Sequence, residues 1–294
     1  MTFLQDMNVS IFTEKNNMIK PATFVLLFFV MNLFWIKAKQ LYVDHRTGND
    51  TNFGIKAQPL KDPFKCVLYK MKNIKIILFL FLFAANSAYS QKINLDGSNL
   101  VPNNVYMEID DLHGESIVRV VKDSTVKEAD EPTFVRIKNT NFKNGIIEVE
   151  VLSRLLPTAS PTGRGFIGLA FRINDMNSKF ESIYLRPTNG RAEDQVRRNH
   201  SIQYFSYPDY KYDRLRKENP EKYESYADMG LNEWIRMKIE IKGNQAKLFL
   251  NKDKYPSLIV NDLKQGADRS GAVGLFVDAG TDGYFRNLKI TPSN

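Results

Sequence analysis

From Gln91 onward, apolar and polar residues alternate with a period of two, and turns rich in Gly, Asn, Asp and Pro interrupt the alternation about every 8–15 residues. The clearest example is a hairpin in which residues 234–242 and 245–251 flank the pair Gly243-Asn244. Both turn residues tolerate the positive φ that a two-residue turn requires. The apolar residues of the first strand share one face: Ile235, Met237, Ile239 and Ile241. This pattern predicts a sheet with one buried and one solvated face.

The alternation predicts eleven short strands, at residues 105–109, 116–122, 133–138, 145–152, 165–173, 181–186, 201–206, 234–242, 245–251, 272–277 and 285–291. So many short strands without regular helices between them indicate an all-β, two-sheet β-sandwich. Helical spacing occurs within residues 209–226, which lie in the longest connection, 187–232. We therefore expect a partly helical insertion, and long structured insertions commonly carry function.

A cationic start at residues 71–75 precedes ten apolar residues, 76–85, and the small residues Ala88 and Ser90. This order predicts a signal peptide over residues 71–90, with cleavage after Ser90 and a secreted or periplasmic product. A run of ten residues is far below the ~20 that a membrane-spanning helix needs. Residues 1–70 are then a mis-called gene start or a disordered extension, with a membrane-anchored start as the alternative. The folded domain is expected to be residues 91–294.

The charge of the chain depends on this division. The full sequence has a net charge of +8, but residues 91–294 carry 30 Lys and Arg against 28 Asp and Glu, a net charge of +2. A polyanion-binding surface needs a larger excess, so we expect no nucleic-acid partner. Cys66, the single cysteine, lies before the domain, which therefore has no disulfide. We also expect no stable membrane span in the domain, and nothing in the sequence sets an oligomeric state.

Three segments carry a family resemblance: FKNGIIEVE at 142–150, the hairpin over 234–251, and GAVGL at 271–275 with YFRNLKI at 284–290. The first two resemble the opening strand and central hairpin of the concanavalin A-like lectin and glucanase superfamily. The third is similar to the closing strands of its laminin G-like and 3-keto-disaccharide hydrolase-like domains. The resemblance implies a jelly-roll sandwich with a concave sheet that binds glycans, and it transfers no catalytic residue to this chain.

Two predicted strands suggest a binding strip. Residues 165–172 alternate packed apolar side chains with Gly168, Ala170 and Arg172, which leaves one face nearly bare. If the next strand is a neighbour, Arg172 shares a polar strip with Tyr184 and Arg186. An ordinary solvated sheet face is the alternative.

The loop over 186–200 has the densest set of polar groups suited to sugar hydroxyls or a carboxylate. Its candidate ligand-binding residues are Asn189, Arg191, Gln195 and Arg198, in addition to Arg186. Six of the thirteen tyrosines follow within residues 204–226, and a tyrosine offers a ring for a sugar face and a hydroxyl for its rim. The alternative is a loop held to its own domain by internal salt bridges and buried rings.

A catalytic role is left open. His200 and Tyr204 are the candidates for proton transfer in a lyase, with Arg186, Arg191 or Arg198 neutralising a uronate. A glycoside hydrolase needs two carboxylates instead, and Glu148 and Glu150 share one strand face.

We expect no cofactor, although Asp278 and Asp282 in a Gly-rich turn are oxygen donors of the kind that bind calcium. The leading hypothesis is an exported protein that binds a poly- or oligosaccharide, with processing of that glycan by a hydrolase- or lyase-type reaction left open. The alternative is a non-catalytic laminin G-like module that contacts a protein.

Overall fold

The computed structural model describes residues 91–112 and 115–293. The predicted extension over 1–70 and signal peptide over 71–90 lie outside these ranges. Within them the chain forms fifteen strands and three short helices. The strands are β1 (Gln91–Lys92), β2 (Leu100–Asn103), β3 (Val105–Leu112), β4 (Glu115–Lys122), β5 (Phe134–Ile137), β6 (Asn144–Leu155), β7 (Ile167–Ile173), β8 (Phe180–Leu185), β9 (Ile202–Tyr207), β10 (Glu224–Ser225), β11 (Ile235–Lys242), β12 (Gln245–Leu250), β13 (Leu258–Val260), β14 (Ala272–Val277) and β15 (Thr281–Ser293). The helices are α1 (Pro187–Gly190), α2 (Gln195–Asn199) and α3 (Tyr212–Glu218).

The strands form two antiparallel sheets. Sheet 1 has the order β13-β12-β11-β6-β15-β4-β3, with β1 paired to β15. Sheet 2 has the order β10-β9-β8-β7-β14-β5-β2. Each sheet combines hairpins of consecutive strands with neighbours that are distant in sequence, such as β6 beside β15 and β7 beside β14, because the chain crosses between the two layers. The predicted two-sheet jelly-roll β-sandwich with a partly helical insertion is confirmed.

Sheet 1 has one buried and one solvated face. Along β11 the apolar side chains are buried, and the residues between them are exposed or half-buried. The neighbouring β6 alternates in the same way, with Ile147, Val149 and Val151 buried. This is the alternation that the sequence predicts, and it directs one face of the sheet into the core.

Sheet 2 is buried on both faces, because every residue of β7, β8 and β14 is buried. One face supplies Ile167 and Val277 to the core, where both approach Gly283 of sheet 1. The other face carries a layer of aromatic rings, in which Tyr184 packs 5.8 Å from Phe205 and 5.6 Å from Phe276 between ring centroids. This outward face is the one that the sequence analysis expected to be nearly bare.

The small residues of β7 permit that aromatic layer. Gly168 pairs with Tyr184 on one side and Phe276 on the other. A Cβ atom at Gly168 would lie 2.3 Å from the carbonyl oxygen of Ile183 and 2.5 Å from the Cα of Tyr184. The glycine therefore allows close strand packing beneath the two rings, and those rings occupy the space over it.

All eleven predicted strands are present, whereas the short strands β1, β2, β10 and β13, of two to four residues, were not predicted. The predicted helical stretch contains α3, which is shorter than expected. In the hairpin, Lys242 pairs with Gln245 around the two-residue turn, but of the two turn residues only Gly243 has a positive φ, 57°. Among the described residues, no helix is both long and apolar enough to cross a membrane.

Candidate functional site

A pocket of about 390 Å³ lies where β7 begins and where β8 and β14 end. Three further parts of the chain complete its wall: the turn at 160–164, the segment around Lys127, and the insertion between β8 and β11. The aromatic side chains at its surface are Phe166, Tyr184 and Tyr212. The pocket therefore combines apolar rings with the basic groups described below, as small-molecule sites commonly do.

Tyr184 and Arg186 form a buried part of the pocket wall. Both are almost completely buried, at 1% and 5% exposure. The Arg186 Nη2 atom donates to the Tyr184 hydroxyl at 2.8 Å and to Gln203 Oε1 at 3.0 Å, while Nη1 donates to Glu224 Oε1 at 3.0 Å. Burial raises the pKa of the Tyr184 hydroxyl far above its usual value, so this hydroxyl stays protonated.

His200 lines the pocket at the end of α2, which begins where the Asp194 side chain accepts a hydrogen bond from the Arg197 backbone. The His200 carbonyl accepts hydrogen bonds from Arg186 and Asn189, both at 3.1 Å. Desolvation lowers the pKa of the imidazole, and Arg216 and Arg186 lower it further against the opposing charge of Glu224. The imidazole is therefore neutral at pH 7 and able to accept a proton.

Glu224, from the short strand β10, balances part of the positive charge. Its side chain is 3% exposed, and its carboxylate accepts hydrogen bonds from both Arg186 and Arg216. Burial raises the carboxyl pKa, but Arg216 and Arg186 outweigh burial and lower it overall. Glu224 Oε2 also lies 3.6 Å from His200 Nε2. A single ionised carboxylate thus faces two guanidinium groups and the imidazole.

Two aspartates, Asp278 and Asp130, lie close together on the side of the pocket where β14 ends. Asp278 binds Lys122 Nζ at 2.5 Å and accepts the Asp130 backbone N–H at 2.9 Å. Asp130 is fully buried and accepts the Tyr212 backbone N–H at 2.7 Å. Burial first, and then the charge of Asp278, raise the pKa of Asp130 to about 7. Asp130 is therefore partly protonated near neutral pH.

Four of the predicted ligand-binding and catalytic residues line this pocket: Tyr184, Arg186, Asn189 and His200. Three others from the same loop do not. Arg191 binds Asp228 and Glu233, at 2.7 Å and 3.2 Å. Gln195 donates to Asn199, and Arg198 donates to the Tyr226 hydroxyl. The structure therefore divides the predicted loop into a part that faces the pocket and a part held by internal contacts.

Arg172 and Tyr204 lie away from the pocket, in a buried network around Glu181. Arg172 Nη1 lies 3.3 Å from Glu181 Oε2, and the Tyr204 hydroxyl donates to Glu181 Oε1 at 2.9 Å. Arg172 also donates to the carbonyl groups of Lys143, Gly243 and Gly266. Tyr204 is therefore not positioned to transfer a proton in this pocket, contrary to the sequence-based expectation.

The strip expected from Arg172, Tyr184 and Arg186 is wrong for Arg172 because β7 contains a bulge. Ala170 pairs with Gly274, whereas Ile173 pairs with Ala272, so β7 has one extra residue. Arg172 adopts a positive φ of 54° at this point. The extra residue reverses the alternation, and Arg172 turns to the opposite face from Tyr184.

The remaining predicted positions are engaged within the protein. Asp278 holds Lys122, and Asp282 accepts from Arg119 at 2.6 Å and from the Tyr284 hydroxyl at 2.9 Å. In the ranges 91–112 and 115–293, no group of three or more His, Cys, Asp or Glu side chains is arranged to hold a metal ion. Glu148 and Glu150 lie on sheet 1, where they pair with Arg236 and Arg286.

Several pocket residues were missed by the sequence analysis. They are Lys127, Arg164, Phe166, Arg197, Tyr212 and Arg216, with Glu224 behind them. Arg197 and Tyr212 belong to segments rich in the residue types expected at such a site. The others come from separate parts of the chain, and only the strand order of sheet 2 and the path of the insertion bring them together.

Several solved structures resemble this chain. They include a carbohydrate-binding module, CBM66, of Bacillus subtilis, at 14% identity over 65% of this chain and 97% of that chain, with a TM-score of 0.41. A β-glucanase of Bacillus licheniformis has 11% identity over 71% of this chain and 94% of that chain, with a TM-score of 0.37. A Bacillus subtilis protein of unknown function with a galectin-like fold has 11% identity over 69% and 94%, with a TM-score of 0.45.

Among curated proteins, none matches this sequence. A family model does match, over residues 94–291, which is most of the chain and nearly all of its described part. Its description is the 3-keto-alpha-glucoside-1,2-lyase-like domain. The resemblance inferred from the strands at 142–150 and 271–290 is thereby confirmed, and the chain belongs to the family of 3-keto-alpha-glucoside-1,2-lyase-like domains.

Proposed function

We propose that the protein binds a saccharide in the pocket at the end of sheet 2 and cleaves it by elimination, with His200 as the proton acceptor. One observation carries the proposal: a neutral imidazole lines a pocket that also contains aromatic rings and three buried or half-buried guanidinium groups, those of Arg164, Arg186 and Arg216. Rings of this kind pack against the C–H faces of sugars, and the polar groups orient the hydroxyls. The family description adds the class of reaction, a 1,2-elimination on a 3-keto-glucoside.

The chemistry of that reaction fits the site. A ketone at C3 acidifies the hydrogen on C2, and His200 accepts this proton. The electron pair of the C2–H bond forms the C1=C2 double bond, while the C1–O bond breaks and the departing oxygen leaves as an alcohol after it gains a proton. Negative charge that develops on the C3 oxygen is stabilised by the positive potential of Arg186 and Arg216.

The proposal is tested with purified residues 91–294 and a set of 3-keto-glucosides, with the parent glucosides as controls. The product is a conjugated enone, so turnover appears as a rise in near-ultraviolet absorbance. The expected result is turnover of 3-keto substrates alone and its loss in His200→Gln with saccharide binding retained. Gln195→Ala, which alters the same helix outside the pocket, serves as the matched control. Undiminished turnover in His200→Gln would remove the assignment.

Saccharide binding without turnover would leave a glycan-binding module as the function. Binding to a protein partner together with no binding of any saccharide would instead favour the laminin G-like alternative. Retention on immobilised glycans, measured beside the turnover assay, separates these results.

We also propose that the domain acts outside the cytoplasm. The support is the cationic start, the apolar run and the small residues at Ala88 and Ser90. N-terminal sequencing of the protein produced by cells tests this directly. A chain beginning at Gln91 is expected, and a product that retains residues 71–90 would contradict export by cleavage.

A further inference from the structure

Three cationic side chains from separate segments meet at the pocket without a carboxylate partner. Lys127, Arg164 and Arg197 all line it, and none of them forms a salt bridge with another residue in the described part of the chain. Lys127 donates to the Ser124 carbonyl, and Arg164 donates to the carbonyls of Pro161 and Gly163. These partners are neutral. We call Lys127, Arg164 and Arg197 the basic cluster.

Other basic residues nearby are compensated. Arg186 and Arg216 share Glu224, and Arg191 binds Asp228 and Glu233. The carboxylate that lines the pocket itself, Asp278, is taken by Lys122. Arg164 and Arg197 therefore have no salt bridge to a carboxylate in the ranges 91–112 and 115–293, and Lys127 has only the charge of nearby Asp123.

Two members of the basic cluster, Arg164 and Arg197, are close enough to repel each other. Arg164 is half-buried, and desolvation lowers its pKa, with further lowering by the charges of Arg197 and Arg186. Holding such groups together costs free energy, which an anion in the pocket would offset. Two of the three groups are guanidinium forks, which bind carboxylate, sulfate and phosphate oxygens in pairs.

The same pocket offers contacts for the rest of a sugar. Ser160, Thr162, Phe166 and Tyr212 also line it, which adds two hydroxyl groups and two aromatic rings. An anionic group held by the basic cluster would therefore have its sugar ring within the pocket, near His200.

We propose that the basic cluster is an anion subsite and that the saccharide bound by this protein carries a carboxylate, sulfate or phosphate group. This inference rests on the proposed function, since it names a chemical class for the ligand of the same pocket. It assigns substrate selection to Arg164, Arg197 and Lys127, and it leaves Arg186, Arg216 and His200 with the reacting part of the sugar.

The test compares sugars that share a ring and differ in charge. Binding of glucuronic acid, its methyl ester, glucose 6-sulfate, glucose 6-phosphate and glucose to residues 91–294 is measured by calorimetry or NMR titration at low and high salt. At least one anionic sugar should bind about 10- to 100-fold more tightly than the neutral sugars, because a hydrogen bond to a charged group is worth that much. The preference should shrink at high salt, and the pattern across the anions identifies the group.

Arg197→Gln and Arg198→Gln form a matched pair, because they are neighbours on α2 and only Arg197 lines the pocket. Arg197→Gln should weaken the binding of anionic sugars much more than that of neutral sugars and so remove most of the preference, whereas Arg198→Gln should keep it. Equal binding of charged and neutral sugars would overturn the inference and leave the proposed function intact. No binding of any sugar would overturn both, so the two failures are distinguishable.

Discussion

Arg186 Nη1 lies 3.0 Å from Glu224 Oε1 beneath the pocket, and both side chains are almost completely buried. The two residues are 38 positions apart, so this ion pair fastens the insertion to the end of β8. The same guanidinium group bonds to Tyr184, Gln203 and the His200 carbonyl. The pair thus joins the wall of the pocket to the sandwich that supports it.

Arg186→Ala should lower the free energy of unfolding by about 3–5 kcal/mol, because it leaves Glu224 buried with only part of its counter-charge. Chemical denaturation of residues 91–294 measures the change. The control is Arg191→Ala, which removes a solvent-exposed ion pair and should cost much less stability. Similar losses in the two variants would show that the buried pair does not anchor the insertion.

Tyr204→Phe should reduce stability but leave saccharide binding and turnover unchanged. The Tyr204 hydroxyl donates to Glu181 and accepts the Lys264 backbone N–H at 2.8 Å, in a network away from the pocket. Its loss leaves these buried groups with fewer partners, at a cost of about 1–3 kcal/mol in the free energy of unfolding. Denaturation and turnover are measured on the same preparation. A large fall in kcat with unchanged stability would return Tyr204 to the catalytic site.

The sandwich could be predicted from the sequence because period-two alternation is a local property of each strand. β11 and β12 illustrate this, since their buried faces and their two-residue turn could all be predicted from residues 235–250. The bulge at Arg172 could not be predicted, because alternation alone gives no sign of an extra residue. One inserted position was enough to move that arginine from the expected strip into a buried network with Glu181.

The site was predictable where its residues are neighbours in sequence and not where distant segments meet. Asn189 and His200 came from one loop dense in polar groups. Glu224 gave no such signal, because its role depends on pairing with Arg186 and Arg216 across the insertion. Arg164 likewise gave no signal, because it lies far from the insertion in sequence although it faces the same pocket.

Asp130→Asn should change how stability depends on pH. The folded state raises the pKa of Asp130 from 3.8 to about 7, so between these values the folded protein holds a proton that the unfolded chain has lost. This group therefore makes the protein less stable as the pH rises from about 4 to about 7. The asparagine variant cannot titrate there and can still accept the Tyr212 backbone N–H.

The stability of Asp130→Asn relative to the unmodified protein should accordingly increase as the pH rises through that window. Denaturation at several pH values between 4 and 8 measures the difference. Asp175→Asn alters an exposed carboxylate and should show no comparable trend. A constant difference between Asp130→Asn and the unmodified protein would indicate that Asp130 is ionised throughout.

On the acidic side of the pH–turnover profile (the acid limb), turnover should fall at a pH set by the pKa of the His200 imidazole. Burial, Arg216 and Arg186 lower the pKa of His200 below its usual 6.5, so turnover should persist to a lower pH than an exposed histidine would allow. Arg216→Gln removes one of the lowering charges and leaves Glu224 less compensated. Both effects raise the pKa of His200, and the acid limb should move to higher pH.

NMR titration of the imidazole measures the same shift without relying on turnover. In residues 91–294 the only other imidazole signal is that of His113. Arg198→Gln lies outside the pocket and should leave both profiles in place. An acid limb that stays fixed while the NMR titration moves would mean that a group other than His200 accepts the proton.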